Sequence, residues 1–368
     1  MYKKHIAYIN AYSISLLLYR VLLFFSLPIY GYADSYLSPT ERNVMLHVLV
    51  KNGDVQGVEA LLNKPEVDVN AKDKDGDTPL YIAAEEGYIA MVKILLATKG
   101  IQVNLQNKDG VTPLHIAAYN GHVEVVKILL ATKGIQVNSQ LEDGTTPLYI
   151  AAQNGHVEVV KELLATKDIQ MNLQNKNGWT PLHIAAQEGH IEVVKELLAT
   201  KGIQVNLQLE DGTTPLYIAA QNGHVEVVKE LLAAKNIKVN LQNKAGATPL
   251  YIAAQNGHVE VVKELLATKD IQMNLQLEDG TTPLHIAAYQ GHIEVVKELL
   301  ATKDIQVNLQ LEDGTTPLHI VAQKGHIEVC KVLIQDERVV SNIKDVFGKT
   351  PLDLAKKNNH DACINLLN

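Results

Sequence analysis

Tryptophan occurs once in this 368-residue sequence and cysteine twice, and there are only three arginines, Arg20, Arg42 and Arg338. A non-specific nucleic-acid binder needs a basic stripe that releases counterions from phosphate. The formal net charge here is −8, and residues 1–33, with Lys3, Lys4, Arg20 and no acid, leave the remainder three charges lower at −11, so no nucleic-acid partner is expected. Serine is almost as scarce: beyond residue 33 only Ser35, Ser38, Ser139 and Ser341 remain, none in the setting of an activated nucleophile. No Asn-x-Ser/Thr sequon occurs, which argues against a glycosylated eukaryotic secretory protein. Cys330 and Cys363 fall where other copies of the pattern described next carry valine, so they read as small buried hydrophobes rather than a disulfide.

What the sequence has in abundance is one stretch, copied. Thr-Pro-Leu begins at Thr78, Thr112, Thr146, Thr180, Thr214, Thr248, Thr282, Thr316 and Thr350, always 34 residues on, which marks a repeat array. A glycine precedes each triplet, usually after Asp, and Asp-Gly is suited to positive φ in a tight hairpin. Threonine is a good N-cap and proline suits the first helical position, so a helix starts at every triplet. Leu114, Ala117 and Ala118 give that helix an apolar face over about two turns, to a stop at Gly121. A second helix is expected over 122–131, with Val123, Val126, Leu129 and Leu130 on one side and Glu124 and Lys127 on the other. Its stop is Gly134, replaced by Asp168, Asn236 or Asp270 in other copies. Two short helices and a turn cannot bury their apolar faces alone, so each copy must stack on its neighbours.

The stretch from Lys108 to His122 (KDGVTPLHIAAYNGH) closely resembles the ankyrin repeat pattern, and the resemblance recurs copy by copy from about Val44 onward. The period alone also suits tetratricopeptide repeats, but those have two longer helices and no Asp-Gly hairpin. The resemblance implies an all-α repeat solenoid, two short antiparallel helices plus a hairpin per unit, and protein binding without catalysis or cofactor. The usual ankyrin unit has 33 residues; the extra one here lies in the loop 131–136 (ATKGIQ).

In chain order, residues 1–33 read as an export signal, with a basic start, the apolar run 21–29, and small residues Gly31 and Ala33 before a cut between Ala33 and Asp34. The alternative is an uncleaved membrane anchor over 11–30, which would hold Arg20 mid-span at a cost of roughly 2.5–3.5 kcal/mol. Residues 34–43 read as a polar linker and 44–74 as a worn N-terminal cap repeat. Eight close copies occupy 75–344, and 345–368 form a truncated C-terminal cap whose Lys356, Lys357 and Asp361 give the open end a polar face.

Histidine is the one residue type suggestive of chemistry, at His115, His183, His285 and His319 after the triplet and at His122, His156 and His190 after glycine. Metal ligands must converge to about 2 Å from one ion, whereas equivalent histidines lie a layer apart. Tyrosine replaces the first set at Tyr81, Tyr149, Tyr217 and Tyr251, as no required catalytic group would allow. These histidines therefore read as turn and hydrogen-bonding positions, and neither a metal, a small-molecule substrate nor an enzymatic activity is expected.

On the resemblance, partner contacts come from hairpin tips and the inner face of the first helix. The odd residues there are Trp179 on a tip, Glu188 beside it, and Tyr119 and Tyr289 near the ends of first helices; these four are the candidate partner-binding residues. The other functional reading is a membrane-tethered spacer of the cell envelope, whose near-identical copies serve length.

Overall fold

Thr-Pro-Leu starts a helix at every expected position in the structure, a computed structural model that describes residues 37–368. The export-signal reading, with its cut at Ala33 and Asp34, and the anchor over 11–30 lie outside the described residues. Twenty helices and no strands are found among the described residues, an all-α repeat solenoid. In order they are α1 (Pro39–Lys51), α2 (Val55–Leu62), α3 (Pro79–Glu85), α4 (Ile89–Ala97), α5 (Pro113–Tyr119), α6 (Val123–Leu130), α7 (Pro147–Gln153), α8 (Val157–Leu164), α9 (Pro181–Glu188) and α10 (Ile191–Ala199). There follow α11 (Pro215–Asn222), α12 (Val225–Ala233), α13 (Pro249–Asn256), α14 (Val259–Leu266), α15 (Pro283–Gln290), α16 (Ile293–Leu300), α17 (Pro317–Lys324), α18 (Ile327–Ile334), α19 (Pro351–Lys357) and α20 (Asp361–Leu367).

The chain divides into two compact units, the first running to Ala151 with Lys161–Ile169, the second holding Ala152–Val160 and everything from Gln170. In the first unit α1, α3 and α5 pack in succession, as do α2, α4 and α6. In the second, α9, α11, α13, α15, α17 and α19 form one row and α10, α12, α14, α16, α18 and α20 the other. Alanine pairs such as Ala185–Ala186 and Ala219–Ala220 are fully buried along the first-helix row, and Leu197 and Leu231 along the second. Small residues in one row and leucine in the other give close stacking and a continuous apolar core.

The helix starts follow the expected chemistry. Thr214 Oγ1 accepts from Tyr217 N at 3.2 Å, and in the histidine copies Thr180 Oγ1 accepts from His183 N at 3.3 Å while Thr180 N donates to His183 Nδ1, a reciprocal cap. Each tip is a three-residue turn rather than a two-residue one. Leu209 N donates to Thr213 O and Gly212 N to Leu209 O, both at 2.9 Å, and only the glycine takes positive φ, at 85°.

One boundary differs from the sequence reading. Helix α1 begins at Pro39, so residues 39–43, read as linker, are helical, and Val44 and Met45 lie inside the helix. The reason is local: Ser38 and Glu41 form a capping box with Pro39 at the first helical position.

The lengthened loop is clamped by the preceding copy. Asn104 Nδ2 donates to Gly134 O at 2.8 Å and its Oδ1 accepts from Gln136 N at 2.9 Å. In the second unit Asn206 does the same with Asn236 O and Lys238 N, and Asn240 with Asp270 O and Gln272 N. One side-chain amide thus satisfies two backbone groups of the loop that carries the added residue. On the outer face Lys229 pairs with Glu226 at 2.8 Å and with Glu264 of the next copy at 3.7 Å. These exposed pairs contribute little stability and keep the face polar.

Both cysteines are buried, on α18 and α20. Burial pushes the Cys330 thiol up to about 12 and raises that of Cys363, so almost no thiolate exists near neutral pH. Native protein mixed with a disulfide reagent such as DTNB at pH 8 is therefore expected to stay unlabelled, and to label at both sites once denaturant is added. Rapid labelling of the native chain would contradict that burial.

Candidate protein-binding groove

The tip that carries Trp179 is shaped by Asn175. Its Oδ1 accepts from Asn177 N and Trp179 N, each at 3.0 Å, and its backbone N donates to Trp179 O at 2.9 Å. This turn is closed by one side chain, and Trp179 leaves it at a fixed place. The indole is half-buried rather than fully exposed, because its ring meets His183 of the same copy edge-on, with centroids 6.0 Å apart at 62°.

That position sets Trp179 in a groove of about 730 Å³. One wall is its own tip, with Lys176, and the end of α9, with Gln187 and Glu188. The other wall is the next tip, with Glu210 and Asp211, and the end of α11, with Gln221 and Asn222. Asp211 Oδ1 accepts from Thr213 N and Oγ1 at 2.9 and 2.7 Å, which holds that tip rigid. Glu188 takes a 3.0 Å bond from Gln187 Nε2.

Of the four candidate residues the structure therefore brings two together, Trp179 and Glu188. Tyr119 is 57% exposed at the end of α5 in the first unit. Tyr289, at the end of α15, is 45% exposed and lies outside the groove lining, with Lys324 Nζ 4.0 Å above its ring. Glu210 and Asp211, which are not among the four candidates, are also part of the groove; the signal for them is that an aromatic tip is followed in the next copy by an acidic one. Phe347, 77% exposed on the last tip beside Val346, is not among the candidates either, because it stands two places before Lys349, the residue equivalent to Trp179 in that copy.

The histidines are structural. In the second unit, Nε2 of the histidine after a helix-ending glycine reaches the preceding copy: His224 to Gln187 O at 2.8 Å, His258 to Gln221 O at 2.9 Å, His292 to Gln255 O at 3.0 Å. The histidines after the triplet are locked as neutral rings. Thr180 N and Oγ1 meet His183 Nδ1 at 3.3 and 2.7 Å, leaving the proton on Nε2, which donates to Leu207 O at 3.1 Å. Burial, opposed by those carbonyl bonds, lowers the pKa of His115, His183 and His285 to about 4.

A cluster of carboxylates, Asp73, Asp75 and Asp77, brings oxygens within 4.8 Å of one another. Asp73 Oδ1 accepts from Asp75 N and Asp77 N at 2.9 and 3.0 Å, and Lys51 Nζ lies 3.3 Å from its Oδ2. The cluster is thus a hairpin turn with its countercharge supplied.

A family model described as ankyrin repeats matches residues 46–141, 133–209, 216–310 and 284–368. Among curated proteins no significant match is found.

Proposed function

We infer the function from the family: the chain belongs to the ankyrin repeat family, whose repeats generally mediate protein–protein interaction. The function proposed is that of a non-catalytic scaffold that captures one protein through the groove around Trp179. The observation that carries this reading is the division of labour among the copies. Threonine caps, asparagine clamps and histidine bonds recur from copy to copy and hold the stack, whereas Trp179 occurs once and borders a groove of ligand-binding size.

The apolar run and small residues of 1–33 support export across a membrane as part of the proposal, with cleavage after Ala33. Retention of 11–30 as an anchor is the competing arrangement and would favour a spacer role. Among the described residues no helix is long and apolar enough to cross a membrane.

The test is capture from lysates of the producing cell and of any cell it meets, with the wild-type chain and Trp179→Ala side by side. A stoichiometric protein held by the wild type and lost at least about tenfold by the variant is expected, since truncating an interface anchor removes 1.4 kcal/mol or more. Equal recovery by both chains would move the binding site elsewhere, and recovery of nothing by either would favour the spacer.

A further inference from the structure

The same groove carries a charge pattern that names the chemistry of its partner, an inference that rests on the groove reading above. Three carboxylates line it, Glu188, Glu210 and Asp211, against one ammonium, that of Lys176. An indole at the same surface offers a π face that attracts cations, and an anionic rim repels phosphate and carboxylate. The combination is peculiar to this copy. Threonine stands in the place of Trp179 at Thr145, Thr213, Thr281 and Thr315, and the acidic tip Glu210-Asp211 follows the only tryptophan.

We propose that the Trp179 groove binds a basic segment of its protein partner, seating an arginine side chain against the indole with its guanidinium paired to Glu188 and Glu210. Arginine suits the site better than lysine because a planar, weakly hydrated guanidinium stacks on an aromatic ring and still presents several N–H donors to carboxylates. Asp211 contributes charge from a fixed position, its Oδ1 being engaged by Thr213. Both proposed pairing carboxylates belong to exposed residues, so the attraction is screened by salt.

Because Trp179 is the only tryptophan, its fluorescence reports this groove and nothing else. The experiment titrates the full chain with three blocked pentapeptides, Gly-Arg-Gly-Arg-Gly and its lysine and glutamate counterparts, to millimolar concentration at low and high salt. The arginine peptide is expected to shift the emission saturably, the lysine peptide more weakly and the glutamate peptide not at all. Raising the salt and the double variant Glu188→Gln/Glu210→Gln should each weaken the arginine peptide, the variant by about three- to tenfold. Far-UV circular dichroism checks that the variant keeps its helices. Equal response to the glutamate peptide, no response to the arginine peptide, or unchanged affinity in the double variant overturns the proposal. If the arginine peptide fails while a Trp179-dependent protein is still captured from lysate, the groove reading survives and the basic-partner inference alone falls.

Discussion

Lowering the pH from 7 to 4 is expected to destabilise the chain strongly, and to do so chiefly through His115, His183 and His285. Each is buried and neutral in the fold, with a pKa of about 4 against an ordinary 6.5. Between those two values the unfolded chain takes up a proton that the folded chain refuses. The stabilising contribution is therefore complete above pH 6.5 and is lost as the pH falls toward 4. A single such group gives a slope of about 1.4 kcal/mol per pH unit, and two in the second unit give up to about 2.8. Asp143, Asp211, Asp279 and Asp313 lie near enough to favour the charged rings, but burial dominates. The chain supplies its own control, because Tyr217 and Tyr251 occupy the same position with the same threonine cap. His183→Tyr/His285→Tyr should fold at pH 7 and flatten the decline in urea midpoint between pH 6.5 and 4.5. A decline unchanged in the double variant would place the acid sensitivity elsewhere.

Gly223→Ala should destabilise the second unit by about 2–4 kcal/mol, far more than an exposed glycine substitution normally does. Two effects combine. Gly223 holds φ at 75°, where an L side chain costs roughly 1–2 kcal/mol. Its added Cβ would also lie 2.7 Å from Nδ1 of His258, a ring fixed by its bond to Gln221 O. Gly202 separates the effects: its φ is 98°, yet nothing lies within 4 Å of the position a Cβ would take. Gly202→Ala should therefore cost only the backbone term, roughly 1–2 kcal/mol. Removing the ring as well, in Gly223→Ala/His258→Ala, should cost less than the two single changes added together. Additivity in urea denaturation would mean that glycine and ring do not meet.

This glycine shows where the sequence was legible and where it stopped. The glycine after a first helix is readable as a left-handed stop, because that requirement is local to the residue. That it also makes room for a histidine 35 places further on was not, because the demand comes from the neighbouring copy. The asparagine clamps were hidden in the same way: Asn206 recurs at a fixed place in each copy, but its two partners, Asn236 O and Lys238 N, are backbone groups that every residue possesses. Helix α1 was misplaced because its start depends on Ser38 and Glu41, a capping signal unlike the threonine triplets, and the repeat register outweighed it. At the groove, Trp179 could be singled out for its rarity, but its half-burial against His183 and its place in one groove with Glu210 needed the stacked copies.

On the proposed function, the stacked copies of the second unit support one distinctive face. The most direct measurement is hydrogen–deuterium exchange of the chain alone and bound to the protein it captures. Slowed exchange concentrated in residues 176–188 and 209–222, the segments that border the groove, is the predicted result. Protection confined to the outer helices α10 and α12, with the groove segments unchanged, would contradict it.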